Sequence, residues 1–320
     1  MRKAIGVDLG GTKINVLLVN EKGEIISRDK QPTESEKGRD YVIRKIKNMI
    51  NKVLVEANIK ISDMEGIGVG FPGIMDREKK TTLYAPNLGE EWKREVPLGE
   101  ELENYFKVPV FLENDVNLVA WAEWLVGAGR GTKTMISIAI GTGIGSGIVL
   151  NGKLWIGAHG MAGEFGHTTV IPDGPICGCG NKGCIEAIAS GSGIERYAKS
   201  IIPDNKDSLI WNLVNGDVDK VTVRVIYQAA EKGDKLAIDI FNRAGYYLGI
   251  ALANYVHVID PEKIVVGGGV ANVRDYIGKP MRDEFYKRVL PSLRDKISFA
   301  WAELGEDAGG IGAALFVLYR

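Results

Sequence analysis

Cysteine and histidine are scarce in this sequence, with three of each among 320 residues. Three cysteines cannot all pair in disulfides, and the first two are only one residue apart, an awkward spacing for a mutual disulfide. A fold held together by disulfides is therefore disfavoured. We expect a reducing, cytoplasmic setting in which the thiols bind a metal ion.

An excess of one charge is also missing. The chain has 40 basic and 41 acidic residues, which gives a net charge of −1. A balanced chain without a basic stripe argues against nucleic acid and against anionic membrane surfaces as partners.

Long hydrophobic runs are missing as well. The uncharged stretch 134–152 contains five glycines, which makes it a poor membrane span and favours a buried pair of strands. An acidic residue stands at position 8, too early for the apolar core of a signal peptide. We therefore expect neither a membrane span nor a secretory leader.

Short apolar runs separated by turns predict that the chain opens with strands. Residues 4–9 and 14–19 form the first two runs, and a third begins at Ile25. They follow one another too closely for a crossover helix. Apolar residues at helical spacing predict a helix from Asp40 to Ala57.

A similar order recurs in the second half, with an apolar run at 135–140, a glycine-rich turn at 141–147 and a further strand at 148–150. We expect two α/β domains, each opening on a strand hairpin, with a boundary near residues 110–120. We set their limits at 1–115 and 116–304. The apolar tail at about 305–320 predicts a closing helix that could pack on either domain, and we assign it to the first.

The two glycine turns, at 10–13 and 141–147, lie at matching places in the two halves. The second superficially suggests a dinucleotide fingerprint, but that fingerprint needs a helix directly after the glycines, and here a strand is predicted to follow. The sequence has no P-loop motif. Either turn alone is compatible with a plain tight turn. Their repetition, each with a threonine (Thr12 and Thr142), favours phosphate binding by backbone N–H groups.

Asp8 stands at the end of the first predicted strand, directly before the first glycine turn. It could simply cap that turn. A carboxylate aimed into a phosphate-binding turn is better explained as a partner of Mg²⁺, directly or through water.

Four polar residues follow an apolar strand near position 113: Glu113, Asn114, Asp115 and Asn117. They could cap the helix predicted at 118–126. One cap needs fewer polar groups, and a carboxylate beside an amide suits a general base and a hydrogen-bond donor toward a hydroxylated substrate. Both interpretations stay open at this point.

All three cysteines and one histidine fall between Glu164 and Glu186. The Cys-x-Cys-x₄-Cys pattern, with a histidine ten residues upstream, is typical of a closed tetrahedral zinc site rather than of unliganded loop residues. The four expected ligands are His167, Cys177, Cys179 and Cys184. Because four protein ligands complete the shell, we expect a structural zinc that fixes the loop carrying Glu164, His167 and Glu186. The second ring nitrogen of His167 is then left for a substrate.

Together these motifs resemble those of the ROK family, a group of repressors, open reading frames and kinases in the actin-like ATPase superfamily. The first glycine turn resembles its first phosphate motif, residues 140–147 resemble the second, and residues 266–269 resemble its nucleoside motif. Residues 159–167 and 177–186 resemble its sugar and zinc signature, which is the most specific of these matches. The resemblance covers the whole chain.

The resemblance implies an α/β fold of two actin-like ATPase (ribonuclease H-like) domains with a cleft between them. The activity it implies is that of an ATP-dependent hexose kinase, and we take glucokinase as the prediction. The implied cofactors are ATP, Mg²⁺ and structural Zn²⁺. The implied assembly is a homodimer or a higher homo-oligomer.

Site residues are implied by the same resemblance. Asp115 is implied as the base that takes the proton from the 6-hydroxyl of the sugar. The implied sugar contacts are Gly73, Asn114, Asp115, Glu164, His167 and Glu186. The implied nucleotide contacts are Asp8, Gly10, Gly11, Thr12, Lys13, Gly141, Thr142, Gly143 and Gly268.

Several alternatives stay open. Kinases of N-acetylglucosamine, N-acetylmannosamine, mannose, fructose or allose share the same implied contacts, so glucose rests on family frequency alone. Polyphosphate could replace ATP. The repressors of the family carry a helix-turn-helix before the first phosphate motif, for which we expect no space ahead of Asp8. A sugar sensor without catalysis is the alternative from another class.

Overall fold

The computed structural model describes the backbone of residues 1–320 and the side chains of all of them except Val270 and Ala271. The strands are β1 (Lys3–Leu9), β2 (Lys13–Asn20), β3 (Ile25–Pro32), β4 (Ile67–Phe71), β5 (Ile74–Asp76), β6 (Thr81–Tyr84), β7 (Val110–Asn114), β8 (Met135–Ile140), β9 (Ile144–Leu150), β10 (Lys153–Leu154), β11 (Lys263–Gly267) and β12 (Ser298–Trp301). The α-helices are α1 (Arg39–Glu56), α2 (Leu98–Phe106), α3 (Asp115–Val126), α4 (Ile185–Ala189), α5 (Gly191–Ile201), α6 (Leu209–Leu213), α7 (Val223–Glu231), α8 (Lys235–Ile259), α9 (Arg274–Arg288) and α10 (Ala308–Tyr319).

The first sheet has the strand order β3-β2-β1-β4-β7. β1 and β2 pair antiparallel, as do β2 and β3, which confirms the predicted succession of strands without a crossover helix. β1, β4 and β7 are parallel, with Asp8 opposite Gly70 and Gly70 opposite Glu113. The carboxyl ends of these three strands therefore lie at one edge of the sheet.

The two faces of β1 pack differently because successive side chains of a strand point to opposite sides. Ile5, Val7 and Leu9 share an apolar core with the buried face of α1, which has the predicted helical spacing. Gly6 lies against α10 on the other face, where an added Cβ would be 1.9 Å from the Gly310 carbonyl oxygen. The backbone of α10 thus packs directly on the sheet.

The second sheet has the order β10-β9-β8-β11-β12. β9 and β10 pair antiparallel, and β11 and β12 pair parallel. The glycine turn between β8 and β9 is shorter than the predicted 141–147, because β9 already begins at Ile144 and only residues 141–143 connect the strands. Gly268 directly follows β11. Among the residues with described side chains, no helix combines the length and the apolar character needed to cross a membrane.

The chain divides into two compact units, and their limits differ from the predicted ones. The first unit contains residues 1–137, 147–156 and 302–320, and the second contains 138–146 and 157–301. The predicted boundary after residue 115 separates α3 from the first domain, whereas α3 and α10 both lie in the first unit. Their backbones approach closely, since a Cβ at Gly312 would be 1.9 Å from the Leu118 carbonyl oxygen.

We expect that Gly68→Ala destabilises the first unit. Its methyl group would lie 2.0 Å from the Ala313 carbonyl oxygen, so α10 would have to shift away from β4 at a cost of about 1–3 kcal/mol. Urea unfolding measures the change. Gly178→Ala serves as the control, because its Cβ has no described heavy atom within 4 Å, and it should change stability by less than about 0.5 kcal/mol. Equal stability of both variants would contradict the close packing.

Candidate functional site

The first glycine turn is held by a hydrogen bond within its own residues and by another from Thr33. Gly10 N–H donates to the Lys13 carbonyl at 3.0 Å, and the Thr33 hydroxyl donates to the Gly10 carbonyl at 2.6 Å. A Cβ at Gly11 would lie 2.6 Å from the Asn87 carbonyl oxygen. Glycine is therefore required at position 11, while Thr12 is exposed. Phosphate binding by this turn stays a prediction.

Asp8 lies between this turn and the start of α10. A Cβ at Gly309 would be 2.9 Å from an Asp8 carboxylate oxygen, so the helix approaches the acid closely. The pKa of Asp8 is raised to about 7, first by burial and then by the charge of Asp115, while Lys13 and Lys30 partly oppose the shift. A bound cation would stabilise the ionised carboxylate, so Asp8 fits a partner of Mg²⁺.

Lys13 is engaged by an acidic residue. Its Nζ lies 3.1 Å from Glu306 Oε2, and Lys30 pairs with the same oxygen. Both lysines are partly exposed, so these ion pairs contribute little to stability. Lys13 thus stands at the end of the turn with a partly exposed ammonium group.

Asn114 and Asp115 stand at the junction of β7 and α3. Asn114 Oδ1 accepts hydrogen bonds from the backbone N–H groups of Val116 at 3.0 Å and Asn117 at 3.2 Å, which is an N-cap. This leaves the Asn114 amide N–H groups to donate to a ligand. The capping and functional interpretations of this segment are therefore compatible.

The Asp115 carboxylate lies at the amino terminus of α3. Its Oδ1 accepts from Val116 N–H at 2.9 Å. Burial raises the pKa of Asp115, while this N–H group lowers it. A carboxylate with a raised pKa is a better proton acceptor than an ordinary aspartate.

Gly73 follows β4 in a tight turn. Its N–H donates to the Phe71 carbonyl at 3.1 Å. A Cβ at Gly73 would lie 2.3 Å from the Tyr84 carbonyl oxygen, so β6 covers this turn closely and only glycine fits.

The second glycine turn, in the second unit, is held on two sides. Gly191 N–H donates to the Gly141 carbonyl at 2.8 Å, and Gly141 N–H donates to the Gly143 carbonyl at 2.9 Å. On the other side, Ile144 N–H donates to Glu186 Oε2 at 2.9 Å. The loop after β11 also touches β8, because a Cβ at Gly268 would be 2.4 Å from the Ile140 carbonyl oxygen.

A cavity of about 570 Å³ opens beside Gly141 and Thr142. Its other polar lining residues carry no recognisable signal in the sequence. They come from α5, α7 and the segment before α9, which are far apart along the chain. In the sequence each of these residues is typical of an ordinary protein surface. These residues are Ser192, Glu195, Arg224, Tyr227 and Asn272.

The four predicted metal ligands come together. One ligand atom from each of His167, Cys177, Cys179 and Cys184 lies within 4.8 Å of all the others. His167 Nδ1 is 3.6 Å from Cys177 Sγ, and the sulfurs of Cys179 and Cys184 are 3.7 Å apart. Tetrahedral zinc with its usual bond lengths separates its ligand atoms by about 3.5–3.8 Å. The donor set and its spacing therefore fit zinc.

The thiols of this cluster differ in their tendency to ionise. Burial raises the pKa of Cys177 and raises that of Cys184 to about 12, while the Asn181 N–H group lowers that of Cys179. Without a metal the buried thiols keep their protons. Metal binding must therefore release protons.

His167 and Glu186 connect the cluster with its surroundings. While His167 Nδ1 faces Cys177, its Nε2 lies 3.9 Å from Glu164 Oε2. Glu186 Oε1 lies 3.5 Å from Cys177 Sγ, and its other oxygen accepts from Ile144 N–H. The cluster, the acids Glu164 and Glu186, and the second glycine turn are thus adjacent within the second unit.

Comparison with known proteins finds relatives over almost the whole chain. A model of the ROK family matches residues 4–320. The glucokinase of Halalkalibacterium halodurans is 39% identical over 317 residues, covering 98% of this chain and 94% of the relative. The glucokinase of Thermotoga maritima is 37% identical over 321 residues, covering 99% and 98%. The structure of a ROK family glucokinase from Streptomyces griseus in complex with glucose and AMPPNP has a TM-score of 0.79 at 36% identity and covers 98% of both chains.

We expect Asp8→Asn to stabilise the metal-free protein at alkaline pH. Folding raises the pKa of Asp8 from 3.8 to about 7, so the folded state binds more protons and the wild type loses stability as pH rises between these values. The variant removes this loss. At pH 8 the free energy of unfolding of the variant should exceed that of the wild type by about 1–3 kcal/mol. This difference should shrink toward pH 4.

Chemical unfolding at several pH values in EDTA measures this. The surface variant Asp239→Asn is the control and should follow the wild type at every pH. A stability difference for Asp8→Asn that does not vary with pH would contradict the assigned cause.

Proposed function

This chain belongs to the ROK family, and we propose that it is a glucokinase that converts glucose and ATP to glucose 6-phosphate and ADP. It is a phosphotransferase with an alcohol group as acceptor, and its fold is that of the two-domain actin-like ATPases. The full-length similarity to glucokinases supports this function. The observation that carries the mechanism is Asp115, a carboxylate with a raised pKa beside the donor amide of Asn114.

We propose that Asp115 takes the proton from the 6-hydroxyl of the sugar while the oxygen of that hydroxyl attacks the γ-phosphorus of ATP. The O–H bond and the bond from the γ-phosphorus to the bridging oxygen break, the new O–P bond forms, and ADP leaves with that oxygen. The Asn114 amide orients the sugar by donating to a neighbouring hydroxyl. Positioning by these two groups supplies much of the acceleration in phosphoryl transfer.

We assign the phosphates to the two glycine turns. The residues of the first turn, with Lys13, and Gly141, Thr142 and Gly143 of the second would contact phosphate oxygens through backbone N–H groups, hydroxyls and the ammonium group. Asp8 would hold Mg²⁺, which when bound neutralises negative charge on the phosphates. The nucleoside would occupy the cavity beside Gly141, near Gly268.

We assign the remaining hexose hydroxyls to Glu164, His167 and Glu186, and a backbone contact to Gly73. Carboxylate and imidazole groups suit a polyol, because a ligand lacking a hydroxyl would leave them unpaired. We further propose that the Cys₃His cluster holds a structural zinc ion. Zinc at His167 Nδ1 would fix the ring so that Nε2 serves the sugar.

We expect the purified protein to form ADP and glucose 6-phosphate from glucose, ATP and Mg²⁺. Asp115→Asn should lower kcat by about 10²–10⁴-fold, the scale of a lost general base, while glucose binding by calorimetry stays nearly unchanged. A coupled assay measures turnover. An Asp115→Asn variant with wild-type kcat would remove this residue from the role, and glucose binding without any turnover by the wild type would favour a sugar sensor.

The preferred hexose is settled by comparing kcat/KM across a panel. Glucose should exceed N-acetylglucosamine, N-acetylmannosamine, mannose, fructose and allose. Polyphosphate in place of ATP tests the phosphoryl donor in the same assay. The assembly as a homodimer or higher oligomer stays a prediction, which sedimentation would test.

We expect about one zinc ion per chain, because four protein ligands complete the tetrahedral shell. Cys184→Ser should remove the ion and lower the melting temperature, since zinc binding contributes free energy to folding. Elemental analysis and thermal unfolding measure both. Zn²⁺ added after chelation should restore the wild type and leave the variant unchanged. A metal-free wild type with undiminished stability would contradict the structural role.

A further inference from the structure

A buried carboxylate lies one residue before the proposed sugar-binding pair. Glu113 is near the end of β7 and is only 1% exposed. A carboxylate at this depth is costly unless it has oppositely charged and hydrogen-bonded partners. Its partners therefore determine how the end of β7 is held.

Arg77 supplies the compensating charge through a two-point contact. Its Nε donates to Glu113 Oε2 at 2.7 Å, and its Nη2 donates to Oε1. Arg77 directly follows β5, so the pair connects the β5–β6 hairpin with the end of β7. A planar guanidinium pairs with a carboxylate in a fixed orientation. The contact thus constrains direction as well as distance.

The same carboxylate reaches residues on both sides of Asp115. Glu113 Oε1 accepts from the backbone N–H of Asn114 at 2.9 Å and from the side-chain amide of Asn117 at 3.0 Å. Because a carboxylate only accepts hydrogen bonds, it also fixes which way the Asn117 amide points. Asn117 Oδ1 has no hydrogen-bond partner among the described residues, so the contact to Glu113 is what orients this amide. Asp115 is therefore bracketed by two residues that are anchored to one oxygen.

We propose that Glu113 and Arg77 are positioning residues, which hold Asn114 and Asp115 in the geometry that binds and deprotonates the hexose hydroxyl. The inference rests on the proposed function, since it assumes that Asp115 is the base. Neither Glu113 nor Arg77 contacts the sugar in this account, because both act through the backbone of Asn114 and the side chain of Asn117. The competing explanation is a buried ion pair that serves folding alone.

The test compares Arg77→Met, Glu113→Gln and the double variant with a matched control. Arg288→Met is that control, because Arg288 Nε also contacts a buried carboxylate, Glu284 Oε1, at 2.6 Å, and this pair lies on α9. Melting temperature, kcat, KM for glucose and KM for ATP are measured for each protein.

We expect each single variant at this pair to lower kcat/KM for glucose by about 10–10²-fold, the scale of a reactive group displaced by about 1 Å. The KM for ATP should change by less than about threefold. The double variant should be no worse than the poorer single variant, because the two residues act as one unit. Arg288→Met should keep the wild-type kinetic constants.

The inference is overturned if Arg77→Met matches Arg288→Met in kcat and in both KM values, or if its KM for ATP rises as strongly as its kcat/KM for glucose falls. Should Arg77→Met fail to fold, Arg77→Lys tests the same claim, because it keeps the charge and loses the two-point contact. If Arg77→Lys lowers kcat/KM for glucose and leaves the KM for ATP unchanged, the positioning role is supported. If its kinetic constants equal those of the wild type, the positioning role is overturned. Asp115→Asn, measured alongside, separates the two proposals: if it retains activity, the proposed base is wrong whatever Arg77 does.

Discussion

The parallel alignment of β1, β4 and β7 is the constraint on which the rest of the candidate site depends. It places Asp8, Gly70 and Glu113 in one row, and Asp115 follows two residues after Glu113 as the first residue of α3. Three carboxylates therefore meet at one edge of a sheet. Only Glu113 is neutralised by a two-point arginine contact, while burial raises the pKa values of Asp8 and Asp115. The negative charge at this edge is best compensated when a cation binds to it and a hydroxyl group donates a hydrogen bond to it. A sugar kinase binds both groups, as Mg²⁺ and as the sugar hydroxyl.

Close backbone approach is the second requirement, and it explains why glycine recurs near both turns. Gly11 lies against Asn87, Gly73 against Tyr84, and Gly268 against β8, each at a distance that a Cβ would violate. These backbone contacts restrict the movement of the turns, so the N–H groups of the turns keep a fixed direction. Turns organised before the ligand arrives lose little free energy to ordering when phosphate binds.

Much of this arrangement could be predicted from the sequence, because the signals were local. The strand, turn and strand order of β1–β3, the period of α1 and the spacing of the cysteines each lie within a short segment, and the structure confirms them. The Arg77–Glu113 pair joins residues 36 positions apart, so the sequence showed Glu113 only as one of four polar residues after an apolar strand. The placement of α3 with the first unit depends on its packing against α10, which no local pattern encodes.

A crystal structure of the protein with glucose and a non-hydrolysable ATP analogue would locate the sugar relative to Asn114 and Asp115. The account predicts the glucose O6 within about 2.6–3.2 Å of an Asp115 carboxylate oxygen, with the Asn114 amide donating to a neighbouring hydroxyl. It also predicts that the contact between Arg77 and Glu113 persists in the complex. Glucose bound away from Asn114 and Asp115, or with O6 turned away from the carboxylate, would contradict the account.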